Sequence, residues 1–452
     1  MTLASYDESL PRVLIVGGGF AGLEVAKALR GAPANVAILD RANHHVFQPL
    51  LYQVATASLS SESIAAPVRA TLRGRADCGV VLVDVKGIDP DAREVLVDAG
   101  RARYDYLVLA AGVRHHYFGH PEWEDRAPGL KSLADAREIR RRMLLAFESA
   151  EHEADEAARR AALTFVIVGG GPTGVELAGA IKSIASKTLP REYVNIDTST
   201  SRVVLLEGGP RVLASFPAEL SARARRDLEE LGVDVRVNTR VTHVSDEGVE
   251  ADEERIAAAS VFWAAGVKAS SLGADLGVEL DRAGRVPVNA DLSVPGRPEV
   301  FVVGDMATYT PAGAERPLPG VAQTALQMGR HVGETIRREL AGEARETARR
   351  TFVYRDKGSM AIIGKNRAVA AVGTRRFTGF VAWLIWAFVH VAFLVGFRNR
   401  LRVMLSWSFS WLLNSHDARV IVDDARLEVT RPHGPGFTPT EAAEASADAA
   451  AP

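Results

Sequence analysis

Two segments of the chain, VLIVGGGFAGLEVAKAL (13–29) and FVIVGGGPTGVELAGAI (165–181), repeat one design about 150 residues apart. Each begins as an apolar strand, turns through G-x-G-x-x-G and continues with helical spacing. Gly17, Gly19 and Gly22 form the first triplet, and Gly169, Gly171 and Gly174 form the second. The first glycine permits the tight turn, the second lets main chain approach a pyrophosphate, and the third lets helix and strand pack closely. Amides at the helix start then face the diphosphate. A triplet alone is weak, because loops are rich in glycine. Here each is followed by a strand ending in an acid, Asp40 after VAIL and Glu207 after VVLL. The repeat dictates an α/β chain with two nucleotide-binding units.

The acids sort the nucleotides. Asp40 can accept from both ribose hydroxyls of an adenosine. Glu207 lies about 40 residues beyond Gly169, against a usual twenty or so, and KTLPREYVNIDTST (187–200) reads as the insertion responsible. Its carboxylate accepts from a free ribose 2′-OH and repels a 2′-phosphate, which favours NADH over NADPH; the neighbouring Arg211 works against that preference. RPEVFVVGDMAT (297–308) is a third strand-to-turn signal. There Asp305, expected to open a helix after Gly304, can hold a ribityl hydroxyl of a flavin, or serve only as an N-cap. Glu176, two residues past Gly174, either steadies the positive helix end or orients a nicotinamide. A helix is expected over 321–340 and a strand-rich segment over 351–372.

Composition closes off several classes. Lys plus Arg is 54 and Asp plus Glu is 56, a net charge of -2, which argues against an extended nucleic-acid surface. Cys78 is the only cysteine, so no dithiol relay or thiolate metal cluster can be built. His44 and His45 are adjacent imidazoles with no acidic pair beside them, a poor metal site, and no metal is expected. MTLASYDESLPR lacks an apolar signal core and points to a cytoplasmic nucleotide-binding body.

The greasiest stretch lies near the C-terminus. Phe380 to Phe397 is 18 residues with His390 the one strongly polar side chain, about 27 Å as a helix. It is followed by Asn399, Arg402, Ser406, Ser410 and Asn414 at helical spacing, with Leu401, Met404, Leu405 and Trp411 between them. With Trp383, Trp386, Trp407 and the basic RNRLR (398–402), this pair reads as an interfacial lipid anchor; a single span and a helix pair in a dimer core are the alternatives.

Taken with HHVFQPLLYQVATASLS (44–60), VVGDMAT (302–308), PGVAQTALQMG (319–329) and GFVAWLIWAFVHVAFLVGFRNRL (379–401), the two glycine segments resemble the type II NADH dehydrogenases, single-chain NADH:quinone oxidoreductases that pump no protons. The resemblance covers roughly residues 10–425. It implies two Rossmann-like domains of the FAD/NAD(P)-linked reductase type and a C-terminal membrane-associating helical region. It also implies noncovalent FAD, NADH as donor, ubiquinone or menaquinone as acceptor, a homodimer, and monotopic attachment to the cytoplasmic face of the inner membrane. By residue, Gly17, Gly19, Gly22, Asp40, Gly304 and Asp305 match the FAD side, and Gly169, Gly171, Gly174, Glu176 and Glu207 the NADH side. Ala322, Gln323 and Gln327 match an A-Q-x-x-x-Q element beside the flavin and quinone. Gln48 is placed against the flavin, and Lys357 either nears the flavin–quinone side or is a solvated lysine of the DKG turn. The domains are read as 1–120 and 291–340 for FAD, 160–290 for NADH and 341–430 for a strand-rich and membrane-anchoring region, while 431–452 lacks a hydrophobic pattern and is expected to be a disordered tail. Two rivals share the nucleotide motifs: a soluble NADH-dependent ferredoxin or rubredoxin reductase, and a nonenzymatic flavoprotein resembling apoptosis-inducing factor.

Overall fold

The computed structural model describes residues 7–75, 77–413 and 418–421; Asn414 and the segment 431–452 lie outside them. Seven helices of nine residues or more appear among the described residues: α1 Phe20–Ala28, α2 Leu133–His152, α3 Pro172–Lys187, α4 Ala218–Leu231, α5 Ala322–Leu340, α6 Gly379–Phe393 and α7 Phe397–Leu413.

Two compact units divide the chain. The first runs to Val46 and takes in Ala65–His115 and Val267–Lys357; the second comprises Phe47–Ile64, His116–Gly266 and the described residues from Gly358 onward.

In the first unit, strands lie in the order Ser293–Val294, Arg297–Val302, Tyr106–Leu109, Arg12–Val16, Asn35–Asp40 and Cys78–Leu82. All neighbours pair parallel except the short edge strand at 293–294. Register sets Ile15 between Ile38 and Val108. Ile15, Ile38, Leu107 and Phe301 are fully buried, as strands covered on both faces require, and each such side chain contributes about 1.5–3 kcal/mol by leaving water. Helix α5 packs along α1 over this sheet.

The second unit repeats the plan with four parallel strands in the order Val233–Val237, Arg202–Glu207, Thr164–Val168 and Ser260–Trp263. A three-stranded antiparallel sheet, Ser359–Gly364, Arg367–Val372 and Arg375–Thr378, packs on α3. The approach is close enough that a Cβ on Gly179 would overlap the Ile363 carbonyl oxygen.

The C-terminal region departs from expectation in three ways. The apolar run is not one helix: α6 ends at Phe393, Leu394 to Gly396 breaks the path, and α7 begins at Phe397. At 15 residues α6 extends about 22 Å, and no helix among the described residues is long and apolar enough to cross a membrane. Helix α7 turns its Ser406–Ser410 side inward, where Ser406 Oγ donates to the Ser58 carbonyl at 3.4 Å, while Leu401, Met404, Leu405 and Phe409 are exposed. Finally, Trp386 is only 2% exposed; it packs against Trp407 at 5.1 Å and stacks on His390 at 4.4 Å. These indoles face the protein interior instead of an interface with lipid.

Candidate active site

The two glycine loops have the same construction. Gly17 and Gly169 adopt φ of +105° and +108°, and a Cβ on Gly22 or Gly174 would overlap the carbonyl oxygen of Gly17 or Gly169. Each loop is braced by its acid. Gly18 N–H donates to Asp40 Oδ2 at 2.5 Å and Ala42 N–H to Oδ1 at 2.8 Å. In the second unit, Gly170 N–H donates to Glu207 Oε2 and Gly209 N–H to Oε1, both at 2.6 Å. Gly19 and Gly171 are the N-caps of α1 and α3; neither helix start has a side-chain cap, and a Cβ at either glycine would meet nothing within 4 Å. Uncapped amides opening on free space beside a carboxylate fit a dinucleotide diphosphate and its ribose. Both cradles pass that test.

Arg211 is held within its own loop, donating from Nη1 to the Phe216 carbonyl at 2.9 Å and from Nη2 to that of Ala214 at 2.7 Å. His45 lies against the first loop, Nδ1 at 3.3 Å from the Gly18 carbonyl and its ring edge-on to Phe20. Burial pushes its pKa down to about 4, so the imidazole is neutral. His44 Nδ1 sits 3.0 Å from Asn43 Oδ1.

Asp305 differs from expectation in its setting. It lies in a single 3₁₀ turn, Gly304–Met306, that runs into the short strand Ala307–Thr308. The proline-rich stretch PAGAERPLPG (311–320) stops any helix there; the nearby helix start is that of α5 at Ala322. Asp305 nevertheless faces that start, since a Cβ on Gly320 would lie 3.2 Å from its Oδ1.

Gln323 and Gln327 share one face of α5, and both amides hold the chain at 355–357. Gln323 Oε1 accepts from Lys357 N–H, and Gln327 Oε1 from Arg355 N–H, each at 3.0 Å. Gln327 Nε2 donates to the Arg355 carbonyl at 3.0 Å. These residues fix the backbone that carries Lys357. Gln48 sits in the second unit, donating to the Lys131 carbonyl at 3.3 Å. The Cys78 thiol is pushed up to about 11 by burial, so it stays protonated.

Glu176 is the fifth residue of α3. It lines a cavity of about 140 Å³ with Ala180, Ser183 and Lys187 from the same face of α3, Tyr52 and Gln53, the strand Ile362–Lys365, and Trp383, Trp386, Trp407 and Trp411. Burial pushes its pKa up to about 8, against a weak contact in which Ile362 N–H donates at 3.5 Å. It therefore carries a proton at neutral pH. Ser183 Oγ and Trp386 Nε1 are buried without a hydrogen-bond partner among the described residues. Lys365 closes one side, donating from Nζ to the Trp411 carbonyl at 2.6 Å. No local pattern in the sequence marks Tyr52, Gln53, Ser183 or the tryptophans as lining one cavity. Tyr-Gln directly after FQPLL was the available signal, and only the packing of distant segments makes it part of a cavity.

Comparison with known proteins gives a consistent picture. Residues 11–329 match the family described as pyridine nucleotide-disulphide oxidoreductase, and residues 357–415 match the NDH2 C-terminal domain. The chain is 44% identical over 433 residues to the type II NADH:quinone oxidoreductase Ndh of Mycobacterium tuberculosis, covering 93% of this chain and 92% of that protein. It is 42% identical to NdhA of the same organism, covering 95% of each. The solved structure of NDH2 from Plasmodium falciparum in complex with NADH superposes with a TM-score of 0.82 at 17% identity, covering 91% of this chain and all of that one.

Proposed function

The chain belongs to the type II NADH:quinone oxidoreductase family, and from that premise we propose that it oxidises NADH and reduces a membrane quinone through noncovalently held FAD, without pumping protons. The first cradle, with Gly17, Gly19, Gly22, Asp40, Gly304 and Asp305, holds the FAD. The second, with Gly169, Gly171, Gly174 and Glu207, holds the NADH. When bound, FAD supplies a two-electron centre that takes hydride from the nicotinamide and returns the electrons to quinone.

The chain's own contribution is selection, positioning and one proton. Glu207 selects an unphosphorylated ribose. Gln323 and Gln327 position residues 355–357, and with them Lys357, beside the FAD-binding half. Reduction of a quinone to a quinol consumes two electrons and two protons; a hydride brings both electrons and one proton, and solvent must provide the other. Glu176 holds a proton at pH 7 in the wall of a cavity floored by indoles. A cavity near 150 Å³ holds a benzene-sized ring, and indole faces stack on planar rings. Glu176 relays that solvent proton: it gives its own to the ring oxygen there and is reprotonated from water. The observation that carries this reading is the position of Glu176 on α3, whose first turn is the second cradle and whose side lines the ring-sized cavity.

Helices α6 and α7 rest on the lipid. Phe388 and Phe397 are 77% and 81% exposed, with Phe380, Leu401, Met404, Phe409 and Leu412 exposed on the same two helices, beside exposed Arg398, Arg400 and Arg402. Water-facing helices rarely carry so much uncovered apolar surface, and the arginines match anionic headgroups. Attachment to the cytoplasmic face and homodimeric assembly are supported by the family resemblance.

The test is turnover of NADH with a short-chain benzoquinone by the flavin-loaded protein, before and after Ala180→Leu fills the cavity. Turnover that Ala180→Leu suppresses supports the placement; turnover that it leaves intact puts the quinone elsewhere.

A further inference from the structure

Donor and acceptor roles along one chain of side chains in the cavity wall are fixed by elementary bookkeeping. An indole N–H only donates. Trp407 Nε1 lies 2.7 Å from the Gln53 side-chain oxygen, so that amide must present oxygen to Trp407 and its NH₂ group elsewhere. Gln53 Nε2 then donates to the Tyr52 hydroxyl at 2.8 Å. The phenol oxygen is thus an acceptor in this pair, and its own proton must go to a third group. No acceptor for it occurs among the described residues, although Tyr52 is 5% exposed and lines the cavity facing Glu176.

We propose that Tyr52 is a second catalytic residue for quinone reduction, its O–H donating a hydrogen bond to a ring carbonyl oxygen of the quinone, with Trp407 and Gln53 as positioning residues that aim the phenol proton into the cavity. This rests on the reading that the quinone ring occupies that cavity. Tyr52 polarises the carbonyl and keeps its proton: burial, reinforced by Glu176 once that carboxyl has ionised, holds the phenol well above its usual pKa. The proton that enters the quinol comes from Glu176, so the balance given above is unchanged. Trp407 belongs to α7, one of the two helices read as resting on lipid. The orientation of a hydrogen-bond donor inside the site is therefore set by the element that docks on the membrane.

The experiment compares the full-length, flavin-loaded protein with Tyr52→Phe, Gln53→Glu, the double variant and Ala180→Leu. The readout is kcat/KM for a short-chain benzoquinone divided by the rate with ferricyanide, an acceptor without a carbonyl. Tyr52→Phe is expected to lower this ratio about tenfold, the upper range for one neutral hydrogen bond. In Gln53→Glu both carboxylate oxygens are acceptors, one for Trp407 and one for the phenol proton, which is drawn away from the cavity. This variant should lose as much as Tyr52→Phe, and the double variant no more than either. A purely structural role for Gln53 would instead give additive losses. An unchanged ratio in Tyr52→Phe, or additive losses, overturns the inference. If Ala180→Leu suppresses quinone turnover while Tyr52→Phe leaves the ratio alone, the cavity assignment stands and the role of Tyr52 falls. If Ala180→Leu has no effect, both fall.

Discussion

Replacing Glu176 with Gln separates stability from catalysis. The carboxyl has a folded-state pKa of about 8 against an ordinary 4.5. Because the folded value is raised, the folded state binds the proton more tightly than the unfolded chain. Stability is greatest below pH 4.5, falls as pH rises toward 8, and levels off beyond it. Each unit of difference corresponds to about 1.36 kcal/mol. At pH 7 the unfolded chain has ionised its glutamate and the folded one has not, a penalty of about 3 kcal/mol. Glutamine mimics the neutral acid without titrating. Glu176→Gln should therefore melt about 3 °C above the parent at pH 8, with the gap mostly closed at pH 5. Quinone turnover should fall at least tenfold in the same variant, because no acid remains to protonate the ring oxygen. In the parent, turnover should decline as pH rises through about 8, with Tyr52, Lys187 and Lys365 the other titratable groups lining the cavity. Thermal melts of flavin-loaded protein across this pH range, with parallel NADH:quinone assays, read both effects. A variant that melts at or below the parent at pH 8, with the same pH slope, would refute the protonated carboxyl.

Three further outcomes follow from the geometry. Glu207→Gln should narrow the preference for NADH over NADPH at least tenfold by removing the charge that repels a 2′-phosphate; paired KM measurements check it, and Arg211 offers the phosphate little while its outer nitrogens serve main-chain carbonyls. Gly179→Ala should destabilise by about 1–3 kcal/mol, since its Cβ meets the unyielding Ile363 carbonyl, and a lowered Tm in thermal melts reports it. Replacing Arg398, Arg400 and Arg402 with Ala should weaken binding to anionic vesicles about a hundredfold, at about 1 kcal/mol per arginine, while binding to neutral vesicles changes little; flotation measures both.

What was legible in the sequence was local. A strand, a glycine turn and a helix are written in consecutive residues, and the acids Asp40 and Glu207 close strands whose apolar patterns announce them. Both loops therefore stand where the spacing places them. The helix expected to open at Asp305 is a single 3₁₀ turn, and the prolines beyond it were the stronger signal. The apolar run was read as continuous because hydropathy does not register a break such as Leu394–Gly396. The inward face of α7 was hidden for a related reason: its serines read as the polar side of an amphipathic helix, and no local pattern shows that Ser406 and Trp407 pack against residues 53–58. The cavity was illegible because it is assembled from five segments distant in sequence, so no local pattern shows that Tyr52 and Glu176 line one space.

Anaerobic rapid mixing tests the central claim most directly. Flavin-loaded protein mixed with NADH should lose the absorbance of oxidised flavin, and a second mix with short-chain quinone should restore it. Bound flavin that NADH cannot reduce would contradict the account at its root.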